Sequence, residues 1–122
     1  MVDGSCTGEI HSMNTSYFSK SGKDSNAVSI AGKSPAGFHG RQYRKLAPLY
    51  WFFMKYKKDG DEVFYTEQYQ KLILDKLDPA MVYKDLGENA ILCCWEGPKK
   101  FCHRHLIARW LEKNMGITIT EI

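Results

Sequence analysis

The spacing of apolar residues changes period several times along the chain, and each change marks an element. Within residues 9–18, Ile10, Met13, Tyr17 and Phe18 stand among Ser, Thr and Asn. That predicts a strand ending in the hydroxyl cluster Thr15, Ser16 and Tyr17. Residues 19–25 read as a turn or loop, and residues 27–30 as a short second strand. Residues 31–43 form a long connection holding Gly32, Pro35, Gly37 and Gly40; a loop of this length is usually functional or disordered. Pro48 fits a first helical position, where its missing amide proton costs nothing. Leu49, Phe52, Phe53 and Tyr56 follow at helical spacing, and Tyr50, Trp51 and Met54 widen the apolar surface. The resulting helix is either deeply buried or part of an interface, such as a homodimer, and ends before Lys58-Asp59-Gly60. Thr66 is placed to cap a second helix presenting Tyr69, Leu72, Ile73 and Leu77 on one face. Asp78-Pro79 supplies a cap and first-turn proline for a third, short helix through about Leu86, which Gly87 stops. Residues 90–95 are continuously apolar up to Trp95, as in a strand covered on both sides. Leu106, Ile107, Trp110 and Leu111 mark a last helix stopped at Gly116, and Ile117, Ile119 and Ile122 suggest a closing strand.

Strands separated by helices predict an α/β fold: a single compact domain over residues 9–122. It is expected to hold a small parallel or mixed sheet with helices packed in a three-layer, Rossmann-like arrangement. Residues 1–8 read as a loosely held end. The 122-residue length leaves little room for a second domain, and 43% hydrophobic with 25% charged residues is ordinary for a globular chain. The longest apolar stretch, residues 46–54, is interrupted by Pro48 and falls short of the roughly 20 apolar residues a membrane span needs. With no secretory pattern at the start, a cytoplasmic location with no membrane partner is expected. There the four cysteines, Cys6, Cys93, Cys94 and Cys102, are expected as reduced thiols.

Charge is segregated. Residues 31–58 carry seven Lys or Arg and no acid, whereas residues 59–89 carry eight acids and three lysines. The net charge of +3 is too small to diagnose nucleic-acid binding, but the basic segment keeps it as an alternative.

The stretch Cys94-Trp95-Glu96-Gly97-Pro98-Lys99-Lys100-Phe101-Cys102-His103-Arg104-His105 breaks the usual rules. It runs from a buried strand through a Gly-Pro turn into a helix. Helix starts favour acids, because their unpaired amide protons and macrodipole are positive. Here cations crowd that start, with no acid between Gly97 and Arg109. An anion held by the amides and Arg104 would resolve the conflict, and ligands collect at such strand ends in open α/β sheets. Cys102 beside cations at a helix start is expected to have a lowered pKa, and Glu96 could act as base or orient Arg104. Cys93 and Cys94 cannot face the same side of a strand, so one of them is expected to be inert core. Zinc is a rival, but paired ligand spacing is missing and adjacent Cys102 and His103 seldom address one ion. No metal and no cofactor are therefore expected.

Residues Ile91 to Glu96, followed by Cys102-His103-Arg104, resemble the family catalogued as domain of unknown function 488. Its members show an apolar strand ending in a Cys-aromatic-Glu element and a Cys-His-Arg triplet opening a helix. Thr15-Ser16-Tyr17-Phe18 and Val28-Ser29-Ile30 are similar to its first two strand motifs, and Tyr43-Arg44-Lys45-Leu46-Ala47-Pro48 to a segment of one branch. Many relatives place an arginine after the second strand; here Lys33 or Arg41 would have to substitute. The resemblance implies a compact α/β fold and no settled activity.

The expected function is binding of a phosphorylated small molecule, a nucleotide or nucleotide derivative. Arg104, His103 and Arg41 or Lys45 would take the charged groups, with Thr15, Ser16, Tyr17 and Tyr43 lining the site. Tyr17, Phe38, Tyr43 or Trp95 could stack on a base. As an enzyme the domain would use Cys102 or Cys94 as nucleophile or Glu96 as acid–base group. As a sensor or sequestering protein it would bind without turnover.

Overall fold

The computed structural model describes residues 13–122. The expected loose end, Cys6 and Ile10 lie outside the described residues. Among the described residues five strands form one parallel sheet: β1 (Asn14–Tyr17), β2 (Ala27–Ser29), β3 (Arg41–Gln42), β4 (Ile91–Cys94) and β5 (Thr120–Glu121), in the order β3-β2-β4-β1-β5. Asn14 is in register with Ile91 and Thr120, and Ala27 with Ile91. All four residues of β4 are buried, as its unbroken apolar run requires at the centre of a sheet.

The two faces are covered unequally. Val28, Ile30, Leu92 and Cys94 join a large core with Phe52, Tyr65, Tyr69, Val82, Leu86, Ile107 and Leu111. These come from α2 (Tyr50–Asp59), α3 (Glu62–Leu72), α4 (Pro79–Leu86) and α5 (His103–Met115). The opposite face holds Ala27, Ile91 and Cys93, covered by Phe18 of the single-turn α1 (Phe18–Ser21) and by Phe38. Adjacent Cys93 and Cys94 thus face opposite sides, as the pleat of a strand dictates.

Several expectations need correction. The segment after β1 is not all loop, because Phe18–Ser21 makes one helical turn. The connection after β2 ends in the short edge strand β3. Pro48 is not the first helical residue of α2; Leu49 is the N-cap. Thr66 caps nothing, since α3 begins at Glu62 and the Asp61 side chain accepts the Phe64 amide at 3.0 Å. Gly60, at φ 65°, separates α2 from α3. The third expected helix appears as read: Asp78 caps it through Ala80 N, with Pro79 in the first turn and Gly87 after the end. α5 stops at Gly116, φ 66°.

Candidate functional site

From β2 the chain runs outward to β3, whereas from β4 it runs back across the sheet to β5. Connections that part in this way leave a crevice at the carboxyl ends of the two adjacent strands. A cleft of about 470 Å³ lies there. Ala31, Gly32 and Lys33 line it from the end of β2, Cys94, Trp95 and Glu96 from the end of β4, Tyr50, Phe53 and His103 from the facing helices, and Pro48 from the segment just before α2. Trp95 is 53% and Tyr50 75% exposed, so their rings are available at the rim. The Trp95 indole donates to Lys33 O at 2.8 Å, tying the two strand ends together. Glu96 pairs with Lys57 of α2 at 3.0 Å.

Two helix starts border this cleft, and they share a property. Neither α2 nor α5 has a side chain capping its first amides, and neither carries an acid in its first turn. The other two long helices, α3 and α4, are both capped by aspartate.

Arg104 is placed otherwise than its motif suggests. It is fully buried, and its guanidinium donates to Glu121 Oε1 (3.0 Å) and Oε2 (2.7 Å), Glu96 O (2.7 Å), Gly97 O (2.9 Å) and Cys94 Sγ (3.0 Å). The expected role as anion ligand is therefore corrected. Arg104 is a strut that holds the turn after β4 against β5. Thr15, also buried, donates to Glu121 Oε1 at 2.5 Å. Burial pushes the Glu121 carboxyl up, but the bonds from Arg104 and Thr15 outweigh it and hold its pKa below the ordinary value.

Arg41 lies exposed on the edge strand β3, but its guanidinium is also occupied. It donates to the carbonyls of Asp85 and Leu86 at the end of α4, where a cation suits the helix dipole. Tyr43 donates to Asp85 at 2.8 Å, and burial together with that carboxylate pushes its pKa up to about 12. Ser16 shares a hydrogen bond with Ser21 at 2.7 Å. The Tyr17 ring lies 5.9 Å from the Arg104 guanidinium carbon. None of Thr15, Ser16, Tyr17, Arg41, Tyr43 or Lys45 lines the cleft. Instead it recruits Tyr50, Phe53 and Pro48, whose only signal in the sequence was an aromatic-rich helix start broader than one buried face requires.

The cysteines also depart from expectation. Cys94 and Cys102 form a disulfide, so the expectation of reduced thiols, with Cys102 or Cys94 as nucleophile, is corrected for this pair. The end of β4 and the N-cap of α5 converge, and no local pattern announces that convergence. Cys93 is free and buried, and desolvation raises its pKa to about 11. His103 is buried, and its Nε2 donates to Ile30 O at 2.7 Å. Its Nδ1 then carries the lone pair and faces Cys102 Sγ at 3.7 Å. Burial depresses its pKa from 6.5 to about 4, so the imidazole is neutral near pH 7. Among the described residues no helix is long and apolar enough to cross a membrane.

No family model matches the chain, and no solved structure matches it. A curated protein of Debaryomyces hansenii, "Probable cysteine protease ATG4", is 31% identical over 91 residues, covering 65% of this chain and 18% of that protein. The chain thus spans less than a fifth of the length of this relative.

Proposed function

We propose that the cleft at the ends of β2 and β4 binds a small phosphorylated molecule with a planar body, a nucleotide or nucleotide derivative. The observation that carries this reading is the convergence of two helix starts, α2 and α5, both without a capping side chain or first-turn acid, on one aromatic-rimmed cleft. Each such start attracts an anion through its amides and dipole. Lys33 adds a positive charge, and the rings of Tyr50 and Trp95 offer stacking surfaces. The resemblance of Cys94-Trp95-Glu96 and Cys102-His103-Arg104 to domain of unknown function 488 is compatible with this placement, since both motifs border the cleft or brace it.

Whether the ligand is turned over or only held depends on Glu96, the one acid among the described residues that line the cleft. A thiol-protease reading, which the name of the Debaryomyces relative would suggest, needs a thiolate. Among the described residues, Cys94 and Cys102 are bonded to each other, and Cys93 is buried with a raised pKa. Four of the seven cations of the basic segment, Arg41, Arg44, Lys55 and Lys57, bond or pair at the surface with groups of the protein itself, which favours the small-ligand reading over the nucleic-acid one.

The test is thermal unfolding with a panel of nucleoside mono-, di- and triphosphates, backed by quenching of Trp95 fluorescence. A binder at one hundred times its Kd should stabilise the fold by about 2.7 kcal/mol. Lys33→Ala should weaken binding with little change in the unliganded melting temperature, and Trp95→Ala should weaken it too while also lowering that temperature through loss of the bond to Lys33 O. A panel with no stabilising member, or binding indifferent to both substitutions, overturns the proposal.

A further inference from the structure

Cys94 Sγ, Cys102 Sγ and His103 Nδ1 or Nε2 lie within 4.8 Å of one another, and all three residues are buried. Neighbouring Cys102 and His103 address one point because the backbone changes course between them. Cys102 is extended, at φ −158° and ψ 148°, whereas His103 is the first residue of α5. The imidazole is already oriented as a ligand. Its Nε2–H is committed to the Ile30 carbonyl, leaving the Nδ1 lone pair on the sulfur side. That commitment to a backbone carbonyl is the arrangement that fixes the ring of metal-bound histidines. Arg104 Nη1 donates to Cys94 Sγ at 3.0 Å, a contact that favours a thiolate there. Finally, the two cysteine Cα atoms stand 7.5 Å apart, wider than the about 4.4–6.8 Å usual for a disulfide. An ion placed between two sulfurs spans a wider gap.

We propose that the reduced form of this centre binds one zinc ion through Cys94, Cys102 and His103, with the fourth position turned toward the cleft that Cys94 and His103 also line. Two cysteines and one histidine plus an open position is a known catalytic type of zinc coordination. The proposal stands on the three ligand atoms and does not require the nucleotide reading. In the oxidised form a dithiol reductant first transfers two electrons and two protons to the disulfide. That breaks the S–S bond and gives two thiols, while the reductant becomes a disulfide. Zinc then forms two Zn–S bonds and one Zn–N bond, and the two thiol protons pass to solvent. The pair of thiolates balances the ion's charge, and Glu121 balances Arg104 behind Cys94.

The full chain, reduced with a dithiol and freed of metal by a chelator, would be titrated with zinc alone and with cobalt(II) alone. One ion per chain is expected, with release of two protons and with cobalt bands typical of tetrahedral sulfur coordination. Cys94→Ser, Cys102→Ser and His103→Ala should each weaken zinc binding by more than the 10–100-fold that outer partners are worth. Cys93→Ser, on the opposite sheet face, should bind as the parent does. Because buried substitutions can unfold the domain, the parent protein alkylated at its reduced thiols and the parent kept as disulfide serve as further comparisons. Both should take up no tightly bound ion. Absence of stoichiometric binding by the reduced parent, cobalt spectra without sulfur charge transfer, or equal binding by the disulfide form each overturns the proposal.

Discussion

Arg104 shows how far one side chain's partners decide its role. It lies buried with a carboxylate, two carbonyls and a sulfur as acceptors, so its charge is consumed inside the protein. Removing one side of such a pair strands the other. Arg104→Met should cost about 3–5 kcal/mol in urea unfolding, far more than a surface arginine would. His103 makes the second prediction at this scale. Its pKa falls from 6.5 in the unfolded chain to about 4 in the fold, so the unfolded state binds the extra proton between those values. Stability is therefore full above about pH 6.5 and declines as pH falls toward 4, by a total on the order of 3 kcal/mol. Urea midpoints of metal-free protein across that window should show the slope, and His103→Asn should flatten it. The Cys-His-Arg run did reveal from the sequence that this junction is unusual. It could not reveal that Arg104 faces inward, because its main partner, Glu121, is 17 residues away and arrives only when β5 pairs with β1.

Among the elements, helix starts separate into two kinds. Asp61→Ala and Asp78→Ala should each lower stability by about 1 kcal/mol by removing a cap, read as a shift in thermal midpoint. Thr66→Ala, inside α3, should fall within the roughly 0.5 kcal/mol typical of uneventful surface changes. The sequence made the start of α4 plain because Asp78, Pro79 and Gly87 act together. The start of α3 was obscured, since Asp59, Gly60 and Asp61 can end one helix or begin the next, and here they do both in succession. Strand β4 was readable from its unbroken apolar run. The two-residue strands β3 and β5 were faint, because their pairing comes from neighbours and leaves almost no period of their own.

Across the whole molecule, alternating strand and helix signals were enough to expect an α/β sheet, and a parallel sheet is what forms. The order of the strands was not legible, yet it is what locates the cleft, since β2 and β4 become adjacent only in the folded sheet. That same order has a consequence for how the chain acquires its structure. The first two strands flank β4 and do not pair with each other, so neither has its central partner until residues 91–94 have been made. During synthesis β2 can pair only with the two-residue edge strand β3, so assembly of the full sheet should come late, limited by closure of long loops. Fragments ending before Ile91 should accordingly give no protected amides in hydrogen exchange at residues 14–17, whose strand partners are residues 91–94 and 120–121, whereas the 122-residue chain protects them.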